Sequence, residues 1–311
     1  MNDMIRTSLL SMAAVSALVA VSGSVVAQTS SCPEQPNKVV VSVVPTITFD
    51  AMTGLYTYRY VLNNERTSTQ EVDSFNLDFD DLISAVRSPR GWTHGFFLSR
   101  STIGWDASEV DDNAPRTAGI PKSVVQIKPG ASLSGFEFKS AKSPGATLFY
   151  VTGYVQTPIV ASELEAEVLF NKCPEANKHI LDQAVVGVTQ GPSDALAAKI
   201  DIKPDDSNNA VNPRNNGVIP VALLGGADFD VTLVVEPSVK FGPGRVGPLN
   251  GKGHHEDVNN DGWMDLVFQF STEGSGLRCF DRSMVLTGQR TDGKRFIGVD
   301  AVNTMGCGAG P

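Results

Sequence analysis

Hydrophobic residues alternate with polar ones in many short segments of the chain. In residues 56–62 the alternate positions are Tyr56, Tyr58, Tyr60 and Leu62. Such alternation is typical of a strand with one buried face. Similar runs occur at 39–44, 72–77, 124–127, 133–138 and 147–154, and Pro-Gly turns separate the later ones. Only the short segments 79–86 and 161–170 suggest a helix.

A second set of strand-like runs follows a small polar segment, residues 191–197. Its members are 198–202, 218–224, 231–235, 266–270, 284–287 and 296–299. A chain of 311 residues is long enough for two medium-sized domains. We therefore predict an all-β protein with two antiparallel β-sandwich-like domains, 28–190 and 198–311, joined by a linker at 191–197.

The first 27 residues have the pattern of a signal peptide. Arg6 precedes an apolar run, residues 9–26, which ends in Val-Val-Ala. Several Ser residues and a Gly interrupt this run and no charge flanks its far side, which argues against a membrane anchor. We expect cleavage after Ala27, no transmembrane segment after cleavage, and export of a soluble protein to the periplasm or the extracellular space.

All four cysteines lie after the predicted cleavage site. An oxidising compartment favours two disulfides, although four cysteines allow three pairings. Cys32 and Cys173 bracket the first predicted domain, whereas Cys279 and Cys307 both lie near the C-terminus. We therefore favour the pairings 32–173 and 279–307. The sequence has no C-x-x-C, which argues against a redox motif or a zinc ribbon.

Charge and motif content exclude several functions. A net charge of −9 argues against nucleic-acid binding, which depends on basic residues at phosphates. The chain has neither a G-x-S-x-G nucleophile elbow nor a phosphate-binding loop. No pair of carboxylates stands out as a glycosidase pair. We therefore expect no enzymatic activity.

The clearest chemical signal is the segment D-V-N-N-D-G-W-M-D at residues 257–265. Oxygen-bearing side chains at loop positions 1, 3, 5 and 9 belong to Asp257, Asn259, Asp261 and Asp265. Such spacing lets a loop curl around a hard cation, and Gly262 permits the sharp turn. The carbonyl of Trp263 occupies the position of a backbone ligand. We predict a Ca²⁺ site, against the alternative of an Asx-rich turn without an ion.

Residues around the loop leave the rest of the ligand set open. Position 12 is Phe268, where an EF-hand has a bidentate Glu, and a strand-like run follows in place of a helix. Glu256 directly precedes the loop and could complete the coordination. Zinc binding by the neighbouring His254 and His255 is disfavoured because the second His of H-E-x-x-H is absent. The acidic patch 205–209 is interpreted as a solvated turn, with an ion ligand as the alternative.

The pattern D-x-N-x-D-G-x-x-D-L-V resembles the calcium loops of integrin-type FG-GAP repeats and, less closely, those of dockerins. The FG-GAP resemblance implies that the loop joins two strands and that Asp265 supplies the last carboxylate. A propeller needs several copies of the motif and the chain has one, so this likeness covers the loop alone.

Residues 198–307 as a whole resemble a C-terminal module of exported bacterial and archaeal proteins. This likeness rests on four segments: I-D-I-K-P at 200–204, N-P-R and G-V-I-P-V-A-L-L-G within 212–225, A-D-F-D-V at 227–231, and E-D-V-N-N-D-G at 256–262. It implies no catalytic activity. Asp205 and Asp206 stand where relatives commonly have Gly-Ser. The first domain is similar to an exported β-domain through G-W at 91–92, residues 129–138 and P-G at 144–145.

These features predict an exported, non-catalytic protein with a structural Ca²⁺ site, which binds a surface or contributes to a matrix. The alternative is a calcium-dependent carbohydrate-binding module or an accessory protein of a secreted hydrolase, with a polysaccharide as its partner. An open cleft lined by Trp92, Trp105 or Trp263 would favour this alternative.

Overall fold

The computed structural model of the chain describes residues 34–110, 122–155, 167, 173 and 179–307. Over these residues the protein is nearly all β, as the sequence predicts. The predicted signal peptide, Cys32 and, apart from Glu167, the possible helix at 161–170 lie outside the described residues. Within the described ranges, no helix is long and apolar enough to cross a membrane.

Two antiparallel sheets form the first half of the chain. The first sheet contains, in spatial order, β1 (Val41–Asp50), β2 (Leu55–Asn64), β7 (Ser132–Ser140) and β4 (Ile83–Arg87). The second contains β5 (Trp92–Phe97), β6 (Thr102–Ala107), β3 (Val72–Asp78), β8 (Pro144–Gly153) and β9 (Val185–Pro192). Short 3₁₀ helices span Leu98–Arg100 and Ile180–Gln183.

Aromatic side chains of both sheets form the first core. Tyr60 of β2 and Phe136 of β7 each contact Phe75 of β3. Trp105 of β6 stacks on Phe75 and is fully buried. Tyr58, Tyr60 and Leu62 are also fully buried or nearly so, as the alternation in this segment predicts.

Two further four-stranded sheets form the second half. One contains β10 (Leu196–Ala197), β18 (Arg295–Ala301), β17 (Ser283–Gln289) and β14 (Lys240–Phe241). The other contains β11 (Lys199–Ile202), β13 (Val218–Leu224), β16 (Asp265–Ser271) and β15 (His254–Glu256). A small pair joins β12 (Ala210–Val211) and β19 (Asn303–Thr304). Helix α1 (Thr272–Ser275) and 3₁₀ helices at Val231–Leu233, Glu236–Ser238 and Leu249–Gly251 connect the strands.

Both sheets of the second half contribute to a separate core. It includes Phe268 and Phe270 of β16, Phe241 of β14 and Phe296 of β18. Phe241 stacks on Phe270 with ring centroids 4.8 Å apart. Most strand pairs are antiparallel, but β10–β18 and β12–β19 are parallel.

Three local predictions are wrong. Residues 79–86 form no helix, because β4 begins at Ile83 and pairs with β7. Residues 231–233 are a 3₁₀ helix in place of a strand, since the Asp230 side chain caps it by accepting the N–H of Thr232. Residues 124–127 form only an isolated bridge, between Ile127 and Val72.

Strands β8 and β9 of the first half contact β10, β17 and β18 of the second, and the described residues of both halves belong to one compact unit. The segment 191–197 contains the end of β9 and all of β10, with Ser193 and Ala195 buried between them. Ser283 of β17 bonds both the N–H and the carbonyl of Val186 in β9. The two halves have distinct hydrophobic cores, and the division into two domains at this segment stays a prediction.

The second half is closed by a disulfide between Cys279 and Cys307, as predicted, with Cα atoms 5.4 Å apart. Cys173 is also disulfide-bonded. Its predicted partner, Cys32, lies outside the described residues, so that pairing stays a prediction.

Candidate metal site

The predicted calcium loop joins two antiparallel strands. β15 pairs with β16, and Glu256 lies opposite Asp265 at the end of the hairpin next to the loop. Residues 257–264 form the connection without regular secondary structure. A strand follows the loop, in agreement with the strand-like run 266–270. β15 is the edge strand of its sheet, so the hairpin lies at one edge of that sheet.

Side-chain oxygens of the loop accept hydrogen bonds from its own backbone N–H groups, and these bonds hold the backbone in a turn. The two carboxylate oxygens of Asp257 accept the N–H groups of Asp261 and Gly262 at 3.2 and 3.0 Å. Asn259 Oδ1 also accepts the Asp261 N–H, at 3.0 Å. Asp261 Oδ1 accepts the Trp263 N–H at 2.9 Å. These bonds place loop positions 1, 3 and 5 on the inside of one turn.

Two residues of the loop have left-handed backbone conformations. Gly262 has a φ of +86° and Asn260 a φ of +57°. Glycine and asparagine adopt this region at the lowest cost among the amino acids. The N-N-D-G sequence therefore specifies the sharp turn that allows Asp257 to reach two successive amides.

Asp265 lies at the base of the loop and is fully buried. Its Oδ1 accepts the N–H of Gly225, which follows β13, at 2.8 Å. Its Oδ2 accepts the N–H of Val258, the second residue of the loop, at 3.0 Å. One carboxylate thus connects the loop to the neighbouring strand. Sequence spacing indicated a ligand here, but it did not indicate this second role.

Strand alternation determines which side chains share a face with Asp265. Leu266, Phe268 and Phe270 point into the core, so Asp265 projects from the opposite face of β16. Its cross-strand neighbour Glu256 shares that face and is exposed.

The two histidines before the loop do not act together. Glu256 Oε2 lies 3.2 Å from Nε2 of His254, two residues earlier on the same face. His255 projects to the other face of β15. The structure therefore separates the two histidines that suggested zinc.

The donor atoms of the loop are of the type that a hard cation prefers. They are carboxylate and amide oxygens, which Ca²⁺ prefers, and each carboxylate oxygen keeps a free lone pair beside its N–H bond. Nowhere in the described ranges do three or more His, Cys, Asp or Glu side chains gather around a common metal position.

The acidic patch at 205–209 forms a turn that local hydrogen bonds stabilise. The Asp206 carboxylate accepts Lys203 Nζ at 2.7 Å and the N–H groups of Asn208 and Ala210 at 3.1 and 3.2 Å. The hydrogen bond from Lys203 lowers the pKa of Asp206. These contacts favour the interpretation as a turn.

The carboxyl group of Asp201 in β11 has a raised pKa, which the sequence did not indicate. Burial, together with the carboxylates of Asp300, Asp205 and Asp265, raises its pKa. Negative charge from distant parts of the chain therefore accumulates near the base of the loop.

The three tryptophans occupy different environments. Trp92 and Trp105 are buried, and their indole N–H groups donate to the carbonyls of Val125 and Arg87. They therefore line no open cleft. Trp263, in the calcium loop, is 51% exposed beside the exposed Met264.

The remaining histidines have local partners. His94 Nδ1 lies 2.8 Å from Ser88 Oγ, and His179 Nδ1 accepts the N–H of Leu181 at the start of a 3₁₀ helix.

No protein-family model matches the chain, and no curated protein matches its sequence. The interpretation of the loop as a metal site therefore depends on the geometry of the loop and of its contact with Asp265.

Proposed function

We propose that this is an exported, non-catalytic protein in which residues 257–265 bind Ca²⁺ as a structural ion. Its role would be to bind a surface or to contribute to a matrix. Export is supported by the predicted signal peptide and by the Cys279–Cys307 disulfide, since disulfides persist in oxidising compartments.

The observation that carries the proposal is the path of the loop. Asp257 accepts two successive backbone N–H groups, so its carboxylate faces the inside of a turn that also contains Asn259 and Asp261. Within the described residues, neither Asp257 nor Asp261 has a cationic side chain at ion-pair distance. A bound cation would relieve the repulsion between these carboxylates.

Calcium would act here by holding the hairpin closed. Asp257, Asn259 and Asp261 would contribute side-chain oxygens and Trp263 its carbonyl. Asp265 and Glu256, which lie opposite each other at the base, would complete the ligand set. Millimolar extracellular calcium saturates sites of modest affinity. At about 50 times the Kd, such binding raises the free energy of unfolding by about 2.3 kcal/mol.

Thermal unfolding in CaCl₂ and in EDTA tests the proposal. We expect the wild-type protein to unfold at a higher temperature in calcium, and D257N/D261N to lose this difference. Asp230→Asn is the matched control, because Asp230 also accepts a backbone N–H two residues ahead, that of Thr232, but lies outside the loop. A wild-type protein with equal Tm values in both buffers would refute the calcium site.

The exposed Trp263 favours a second candidate, calcium-dependent carbohydrate binding. An aromatic face beside a bound cation can stack on a sugar ring while the ion orients the loop. Glycan-array binding that needs calcium and disappears in Trp263→Ala would support this candidate. Binding that is unchanged in the variant would assign it to another surface.

A further inference from the structure

A cleft of about 520 Å³ is lined by residues from both halves of the chain. The first half contributes Arg100, β8, the 3₁₀ helix Ile180–Gln183 and β9, and the second contributes β14, β17 and their flanking turns. A volume of this size is typical of small-molecule sites. The cleft is distinct from the calcium loop, because residues 257–265 do not line it.

Basic side chains outnumber acidic ones in the lining of the cleft. Five basic residues line it: Arg100, Lys240, Arg245, Arg278 and Arg282. Two acids, Asp182 and Asp281, also line it. The cleft therefore has a formal excess of three positive charges in a chain whose net charge is −9. Such a local reversal of sign attracts anions.

Both acids are already engaged. Asp182 Oδ1 accepts Arg100 Nη1 at 3.0 Å. Asp281 Oδ2 accepts the backbone N–H of Arg278 at 2.8 Å, and it lies 3.8 Å from Nε of the same residue. Within the described ranges, no acidic side chain lies within ion-pair distance of the other three bases, Lys240, Arg245 and Arg282.

Arg278 provides a second observation. Its Nη2 donates to the carbonyl of Asp182 at 2.7 Å, which fixes the guanidinium across the two halves. Its Nε is buried and has no hydrogen-bond acceptor in the described part of the chain. The Asp182 carbonyl and the nearby Asp281 carboxylate therefore hold the Arg278 guanidinium in place at the wall of the cleft, where it adds positive charge.

We propose that this cleft binds a compact anion with at least two carboxylate, phosphate or sulfate groups. Arginine guanidinium groups match the paired oxygens of such anions, and Lys240 adds a point charge. Tyr150 is the aromatic residue in the lining, and its hydroxyl donates to Asp78 Oδ2 at 3.0 Å. The recognition is therefore by charge and hydrogen bonds more than by stacking. Because both halves line the cleft, a bound anion would also link them.

Isothermal titration of the full mature chain with citrate, pyrophosphate, tri-galacturonate and acetate tests the proposal. Low ionic strength limits screening. Calcium-free buffer is needed because citrate and pyrophosphate chelate calcium, and it makes the result independent of the loop. We expect at least one of the three multivalent probes to bind with a Kd below about 1 mM and acetate to bind more weakly. Tighter binding of tri-galacturonate than of citrate would identify acidic oligosaccharides as the source of the anion, and the reverse order would identify small metabolites.

Two charge-matched variants decide whether the cleft is the site. R245Q/R282Q should weaken binding at least about tenfold, because two charge-assisted contacts are lost. K199Q/R214Q removes two exposed charges outside the cleft and should leave the Kd within about twofold of the wild-type value. The proposal is overturned if no multivalent probe binds below about 1 mM, or if both variants weaken binding equally.

Discussion

Replacing Asp265 with alanine should destabilise the protein even without calcium. The Asp265 carboxylate is fully buried and accepts the N–H groups of Gly225 and Val258. A hydrogen bond to a charged group contributes about 1.5–3 kcal/mol, and Asp265→Ala leaves two backbone donors without their acceptor. We therefore expect the free energy of unfolding to fall by about 3–5 kcal/mol.

Urea unfolding in EDTA measures this loss separately from any effect of a bound ion. Asp228→Ala is the control, since Asp228 is exposed and its side chain has no hydrogen bond among the described residues. This control should remain within about 0.5 kcal/mol of the wild-type protein. A loss of less than about 1 kcal/mol for Asp265→Ala would refute the anchoring role, because a buried carboxylate with two backbone partners cannot be that dispensable.

Two further predictions concern pH and the disulfide. Burial raises the pKa of Asp78 from its ordinary 3.8 to about 6, so the folded state binds more protons between these values and unfolding becomes easier as the pH rises through them. This group should lower the free energy of unfolding by up to about 3 kcal/mol between pH 4 and 6, and Asp78→Asn should remove that fall. Urea unfolding at both pH values measures it, and a variant with the pH dependence of the wild type would contradict the prediction. The Cys279–Cys307 disulfide closes a separation of 28 residues, so C279S/C307S should lower the free energy of unfolding by about 3–4 kcal/mol in urea. A double variant as stable as the wild type would disprove that contribution.

Short apolar or alternating runs bounded by turn residues were sufficient to predict most strands. The runs 218–224 and 266–270 correspond to β13 and β16, because one face of each strand is buried against the second core. The strand prediction for 231–235 is wrong because residues 231–233 form a 3₁₀ helix, which the Asp230 side chain caps at its start. Local capping competes with strand formation, and hydrophobic alternation does not report it.

The candidate calcium loop was also readable from local sequence. Its turn depends on residues that are neighbours in the chain: Asp257 bonds amides four and five positions ahead, and Gly262 adopts a positive φ. Such interactions are encoded within one short segment. The link from Asp265 to Gly225 spans 40 residues and depends on the pairing of β13 with β16, which only the folded sheet creates.

The all-β class, most strand positions and the turn at residues 257–262 follow from local periodicity and backbone preference, so sequence alone predicted them, and cysteine spacing favoured the Cys279–Cys307 pairing among three possible ones. The folded structure was needed to show that Trp92 and Trp105 are core residues, that Asp265 anchors the loop, and that a basic cleft lies between the halves of an acidic chain. Burial and charge clustering depend on which distant segments pack together, and no local pattern specifies that packing.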